Sequence, residues 1–154
     1  MSSYNITLNA DHGWFLASVV GFYVQQSILF VIPVVKQRLA TGIKAPTLYP
    51  NDSEIKKLNL TEEKVGDYTR AQRVHQNNME FLSAYMPLYV MCGFIDPLTT
   101  AKCGGAILVL RSVNAIGYLE SASNTLRKIG GLFHLPEFYT VYLLGKKAYE
   151  LINK

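Results

Sequence analysis

The chain has 154 residues, of which 49% are apolar and only 17% charged, with a formal net charge of +4; an average soluble domain carries about 25% charged residues. With a mean hydropathy of +0.13 and a length that suits one domain, so clustered an apolar half must either fill a single core or face lipid. The excess of Lys and Arg would point to nucleic acid only if it formed one stripe on a soluble face. It is instead divided among segments that separate apolar stretches, so no nucleic-acid partner is expected.

Trp14 to Val35 runs for 22 residues without Asp, Glu, Lys, Arg or His, which as a helix measures roughly 33 Å at ~1.5 Å per residue. That length covers a hydrocarbon core of about 30 Å. A signal peptide needs a basic start and a shorter apolar core, and before Trp14 the only formal side-chain charge is Asp11. The stretch is therefore read as a retained span that ends near Lys36 to Arg38. Gln25 and Gln26 sit near its middle, where amides serve best as hydrogen-bonding glue to a neighbouring helix. Thr41-Gly42, Ala45-Pro46 and Pro50-Asn51-Asp52-Ser53 carry loop chemistry.

Thr61, followed by Glu62 and Glu63, suits the start of a helix, and the run Thr61 to Ile95 reads as one long helix, wet in its first part and in lipid in its second. Asp96-Pro97 ends it, and the five residues to about Ala101 give a short connection that makes the second and third spans antiparallel neighbours. Gly104-Gly105 and Gly117 offer surfaces for close helix approach. Gly130-Gly131 opens a fourth span, which His134, Pro136 and Glu137 interrupt. The pattern thus predicts an all-α, integral-membrane four-helix bundle in a single domain covering residues 1–154, with spans at about 14–35, 71–95, 102–121 and 129–147.

The first connection contains Lys36, Arg38, Lys44, Lys56, Lys57, Lys64, Arg70 and Arg73, and the third adds Arg127 and Lys128. The other side has Lys102 in the second connection and Lys146, Lys147 and Lys154 near the C-terminus. This bias places both termini away from the cytoplasm. Asn5-Ile6-Thr7 is a glycosylation sequon on that side. Cys92 and Cys103 lie at the end of the second span and the start of the third, with neither metal spacing nor a disulfide framework; they read as buried or interfacial thiols.

The chemistry concentrates just before the apolar half of the second span. At about 100° per residue, Arg73, Asn77 and Glu80 fall on one helix face, at the level where water gives way to lipid. Ionisable groups at that depth are costly unless paired or used. One reading is an internal Arg73–Glu80 ion pair that holds the bundle together. The other is a site for a zwitterionic peptide: arginine clamps a carboxylate, glutamate holds an ammonium, and asparagine matches a peptide group. His75 and Asn78 point away from this face, and His75 reads as a packing or interfacial residue. A second polar set, Arg111, Asn114 and Tyr118, recurs at helical spacing on the third span. Arg127 and Lys128 precede the fourth span on the same membrane side as Arg73. A thiol beside Arg127 would be stabilised as thiolate.

The segment Gln72-Arg73-Val74-His75-Gln76-Asn77-Asn78-Met79-Glu80 resembles the signature of the MAPEG proteins, the membrane-associated proteins in eicosanoid and glutathione metabolism, most closely the type-three microsomal glutathione transferase branch. Lys36, Arg38, Ile43 and Pro46-Thr47-Leu48-Tyr49 fit that branch's first loop, and Arg111 with Gly117-Tyr118 its third helix. The resemblance covers about Val35 to Gly130. It implies a homotrimer of four-helix subunits in the endoplasmic reticulum or a mitochondrial membrane, with glutathione as co-substrate held between subunits near the cytoplasmic face, and no metal. It further implies that Arg73, Asn77 and Glu80 bind glutathione, joined by Arg38, Arg111 and Tyr118, and that Arg127 stabilises the thiolate.

Three positions depart from the resemblance. Phe81 and Asn114 stand where tyrosines are expected and Ser83 where a proline is; the arginine near the fourth span is off-register by about one residue, so Arg127 and Lys128 compete for one role. The leading expectation is a glutathione transferase or peroxidase acting on a lipophilic electrophile or lipid hydroperoxide that enters from the bilayer. The departures motivate a second, a non-catalytic accessory subunit among unlike membrane chains, such as those of a mitochondrial respiratory complex. A third is a scaffold presenting a fatty acid from the same intersubunit groove.

Overall fold

The computed structural model describes residues 7–120 and 124–153; the Asn5-Ile6-Thr7 sequon and the last residue of the third expected span lie outside them in whole or in part. Every regular element among the described residues is helical. α1 (Ala10–Val24) passes through a π-helical turn (Gln25–Leu29) into α2 (Val31–Thr41). The short α3 (Asp52–Lys57), the long α4 (Glu62–Ile95) and α5 (Pro97–Leu119) follow. α6 (Asn124–Gly130) leads through a 3-10 turn (Gly131–Phe133) into α7 (His134–Ile152).

Local chemistry explains most of these boundaries. The Asn9 side chain accepts from the backbone N–H groups of Asp11 and His12 and starts α1. Gly42, at φ 74°, ends α2 in the left-handed conformation that a side chain would disfavour. Thr61 Oγ1 accepts from the Lys64 N–H at 3.3 Å, and Glu62 and Glu63 fill the first turn of α4. Asp96 alone separates α4 from α5, where sequence reasoning expects a five-residue connection. It closes the first helix, and its side chain accepts from the Thr99 N–H at 3.1 Å to open the next. Pro97 occupies the first helical position, where its missing N–H costs nothing.

Two other features differ from the expected pattern. The first span is not uniform, because Phe30 N–H bonds to Gln25 O at 2.9 Å across the π-helical turn. Pro33 supplies the reason: its ring crowds the carbonyl four residues back and donates no hydrogen bond, and the wider turn lies immediately upstream. The fourth expected span is broken at Gly131–Phe133. His134, Pro136 and Glu137, expected to interrupt a helix, form the first turn of α7, where His134 Nδ1 meets Glu137 Oε2 at 2.5 Å and Thr140 Oγ1 donates to Pro136 O at 2.9 Å.

α5 packs against α1, α4, α6 and α7, and so lies at the centre of the contacts; α2 packs on α4. The core at one end of the molecule joins Phe15 and Phe22 of α1, Tyr85 and Tyr89 of α4, and Ile107 of α5. Phe22 meets Tyr89 edge-on with ring centroids 5.2 Å apart. Both tyrosine hydroxyls are satisfied, Tyr89 by Ser18 and Tyr85 by Thr140 at 3.0 Å, as buried phenols require. A second cluster of Phe30, Val74 and Ala115 joins α2, α4 and α5 at the other end. Cys92 and Cys103 are buried and free.

The exterior carries many large apolar side chains. Trp14, Val20 and Ile32 on the first helix, Met91 and Phe94 on α4, Val109 on α5 and Leu135 and Phe138 on α7 are all exposed, a continuous character that water-soluble monomers rarely show. Among the described residues, Ala10–Thr41 is the one helix both long and apolar enough to cross a bilayer, at 32 residues. Ion pairs among the described residues join only residues three apart on one helix, namely Arg70–Asp67, His134–Glu137 and Lys147–Glu150.

Close packing at Gly104 yields a test. A Cβ there would lie 2.0 Å from Tyr89 Oη, whereas one on Gly105 meets nothing within 4 Å. Gly104→Val is expected to destabilise the fold by ~1–3 kcal/mol, the usual scale of overpacking, and Gly105→Ala to leave it unchanged. Thermal unfolding in detergent, followed by circular dichroism, distinguishes the two.

Candidate functional site

The wet half of α4 presents two faces of opposite character. Arg73 and Glu80 are exposed and Asn77 is half-buried, on the face that helical periodicity predicts. Seven residues of helix separate the two charges by roughly 10 Å along the axis, the span of a short peptide. The two do not pair with each other, and neither has an ionic partner among the described residues. The Arg73 guanidinium instead lies 5.8 Å from the ring centroid of Tyr49, and Tyr49 Oη donates to Gln76 Oε1. Below Arg73, an open cavity of about 240 Å³ is lined by Gln76, Met79, Glu80 and Ser83. It is smaller than the ~300–1,000 Å³ of ordinary ligand pockets.

Tyr49 reaches this face because the first loop is clamped down. Arg38, on α2, donates to Thr47 O at 2.9 Å and to Ile43 O at 3.4 Å, and its guanidinium stands 5.6 Å from the Tyr68 ring. Tyr68 Oη donates to the same Thr47 carbonyl at 2.8 Å and accepts from Gln72 Nε2 at 2.8 Å. Arg38 is thus committed to the loop backbone, and the loop places an aromatic ring on Arg73.

One position further round, α4 turns inward. Asn78 is fully buried; its Nδ2 donates to Gln26 Oε1 at 2.7 Å, and its Oδ1 accepts from Arg111 Nε. Gln26 Nε2 also donates to His75 O at 3.4 Å, while Gln25 Nε2 donates to Leu108 O and Ser112 Oγ at 2.8 and 2.9 Å. The π-helical turn therefore aims consecutive amides at two different helices. Arg111 is buried, with its guanidinium 4.4 Å from the Phe81 centroid and 4.5 Å from that of Phe133. Its Nη2 donates to the Asn77 carbonyl at 2.9 Å. The fold places Arg111 beneath the α4 stripe, and its guanidinium does not join Arg73 and Glu80 on the outer face.

Arg127 and Tyr118 form a separate pair, the guanidinium 4.4 Å from the ring centroid. Gly117 allows this, since a Cβ there would lie 2.6 Å from the Arg127 backbone nitrogen. Asn114 Nδ2 donates to Arg127 O at 3.0 Å and ties α6 down. Arg127 and Lys128 are both exposed. Among the described residues, no hydrogen bond, ion pair or ring contact links this pair to Arg73, Asn77 or Glu80, so one chain carries two separate outward-facing polar groups. No group of three or more His, Cys, Asp or Glu able to hold a metal occurs among them.

The model of the MAPEG family matches residues 16–144. The chain belongs to the MAPEG family. Its members are membrane-associated and work with glutathione, which accounts for the many large apolar side chains on the exterior. No curated protein and no solved structure matches the chain.

Within this MAPEG chain, sequence periodicity identifies the outer stripe but not what holds it. Asn78 is set aside by that reasoning because it leaves the Arg73 face, yet it makes the buried contact that orients the face. The signal available is a pair of amides, Gln25 and Gln26, at mid-span, together with an arginine on the third helix, each needing a partner out of water. Tyr49 belongs to the loop motif, and its contact with Arg73 depends on the loop's fold.

These roles predict opposite responses to substitution. Asn78→Ala leaves the buried Arg111 Nε without an acceptor and is expected to cost ~1–3 kcal/mol of stability or more. Arg73→Ala, at an exposed position, is expected to change it by no more than about 0.5 kcal/mol. Unfolding in mixed detergent and denaturant measures both.

Proposed function

We propose that the protein is a membrane-bound glutathione transferase or peroxidase, assembled as a homotrimer of four-span subunits in the endoplasmic reticulum or a mitochondrial membrane, with both termini on the non-cytoplasmic side. The observation that carries this reading is that Arg73 and Glu80, on one face and about a peptide's length apart, are not spent on each other. An anionic and a cationic group of one ligand can engage both. Glutathione, with carboxylates and an ammonium group, has that chemistry, and Asn77 lies between the charges to meet a peptide group.

The small open cavity beside Glu80 gives half the enclosure such a ligand needs, and Arg127 with Tyr118 forms another outward half. A neighbouring subunit would join an Arg73 half to an Arg127 half and bury the tripeptide between them. Arg38 acts through the first loop, and Arg111 holds the Asn77 segment from within. Arg127 stabilises the thiolate; each unit by which the thiol pKa falls corresponds to ~1.4 kcal/mol of preference for the charged form. The sulfur then attacks an electrophilic carbon presented from the bilayer, expelling its leaving group or adding across an activated double bond. With a lipid hydroperoxide it attacks the distal oxygen, the O–O bond breaks, the lipid alkoxide leaves and takes a proton from water, and a second glutathione converts the sulfenic acid to disulfide and water. Binding contacts remote from the sulfur fix its orientation.

Glu80→Gln or Arg73→Ala is expected to weaken glutathione binding by roughly 10-fold or more, the scale of a lost charge-assisted hydrogen bond, without altering the oligomer. Arg127→Ala is expected to preserve binding and remove the thiolate absorbance in ultraviolet difference spectra. Titration calorimetry and those spectra on purified trimer test the assignment; wild-type trimer that binds glutathione but gives no thiolate signal overturns the catalytic part.

Two observations favour a second reading, a non-catalytic accessory subunit. Phe81 brings no hydroxyl to the site and packs under Arg111, and the Asn114 amide is occupied by the Arg127 carbonyl. On that reading, native mass spectrometry finds a single copy among unlike chains, and the same substitutions disturb assembly.

A further inference from the structure

α1 and α5 run parallel: Gln25 bonds near Leu108 and Ser112, Phe30 packs by Ala115, and Trp14 and Ser18 lie beside Leu98 and Lys102. Toward their N-terminal ends, away from the Arg73 stripe, a groove of about 360 Å³ lies along the two helices. Its walls include Trp14, Ala17, Leu98, Ala101 and Leu108. Gly105 leaves one side open, for nothing lies within 4 Å of where its Cβ would be. The volume falls within the ~300–1,000 Å³ of small-molecule sites.

The walls are apolar except at one end. Lys102 is exposed, is the one charged side chain in the lining, and has no ionic partner among the described residues. Trp14 is 68% exposed, and amphipathic indoles settle at the headgroup level of a bilayer. Both residues begin spans read from the sequence, which sets the mouth of the groove at the membrane surface on the side of the termini. An acyl chain matches the walls, and a headgroup of net negative charge, its phosphate not offset by a choline of its own, matches an ammonium otherwise lacking a counter-charge.

We propose that this groove is a binding site for an anionic phospholipid, with one acyl chain between α1 and α5 and the headgroup phosphate on Lys102. The site is independent of the glutathione reading, since it lies toward the opposite ends of the helices and shares no residue with it. It commits to a bilayer phospholipid over a free fatty acid or a second copy of the chain.

Trp14 is the sole tryptophan of the chain, so its emission reports the groove directly. The full chain is reconstituted in phosphatidylcholine vesicles containing a small, fixed fraction of phosphatidylserine or phosphatidylcholine brominated on the acyl chains. Brominated phosphatidylserine is expected to quench Trp14 as though enriched about fivefold over its mole fraction, the scale set by one lysine at an anionic surface. Lys102→Gln should bring the two lipids to equality, and Gly105→Leu, which fills the groove, should reduce quenching by both. Equal quenching in the wild type, or a preference that survives Lys102→Gln, overturns the proposal. So does protection of Trp14 from both lipids, the signature of a second copy on this face. A brominated fatty acid that quenches in a Lys102-dependent way where the phospholipid does not would also overturn it.

Discussion

A buried guanidinium controls the rest of this molecule. Arg111 lies against the edge-on pair of rings Phe81 and Phe133 and is held by the Asn78 side chain and the Asn77 carbonyl. In so dry a setting a positive charge is tolerable only because acceptors and aromatic faces replace its water. The requirement fixes the rotation of α4 about its own axis. With Asn78 turned to Arg111, Arg73 and Glu80 must face outward, about 140–160° round the helix at ~100° per residue. The exposed stripe is thus a consequence of the buried contact, and the two cannot be changed independently.

The same economy governs the remaining helix contacts. In lipid, apolar side chains gain little by leaving the exterior for the interior, so hydrogen bonds and close packing must specify which helix meets which. Here the specifying groups are neutral: Gln25 reaches α5, Gln26 meets α4, Ser18 meets Tyr89, and Thr140 meets Tyr85. Ion pairs among the described residues are local to single helices. Neutral partners avoid the large desolvation cost of opposite charges brought together away from water. They also leave the charged side chains of α4 available at the surface.

Where the amino-acid pattern carries local chemistry, it marks the structure well. Thr61 starts α4, Asp96-Pro97 divides α4 from α5, and Gly42 ends α2, because caps and proline act within a few residues of themselves. The π-helical turn is harder to read: Pro33 signals a perturbation, but a kink and a widened turn are alternative responses to it. The 3-10 break at Gly131–Phe133 escapes for a related reason. Hydropathy carries across it, whereas its position depends on the packing of α5 against α6 and of Phe133 beneath Arg111. In the site, period 3.6 identifies the Arg73, Asn77 and Glu80 face. Periodicity cannot choose between an internal ion pair and two separately disposed charges, since both place the same residues on the same side. Nor does it disclose that Arg111 points inward, which only the meeting of three helices decides.

This division between inward and outward polarity bears on how activity and fold can vary. The positions that determine architecture, Asn78, Arg111, Gln25 and Gln26, find their hydrogen-bond partners within one chain, Gln25 through its Nε2 alone. Arg73, Glu80 and Arg127 contribute little to that internal network, and in one chain their two groups remain apart. A change that removes Glu80 therefore leaves the helix contacts intact, whereas one at Asn78 alters the orientation of every charge on α4. Phe81 sits on the boundary between these sets: it follows Glu80 in sequence but supplies the face on which Arg111 rests. Replacing it with tyrosine would add a hydroxyl near the outer stripe only if the ring could keep its place over the guanidinium. Chemistry at that position is thus constrained from beneath by the same contact that holds the stripe in view.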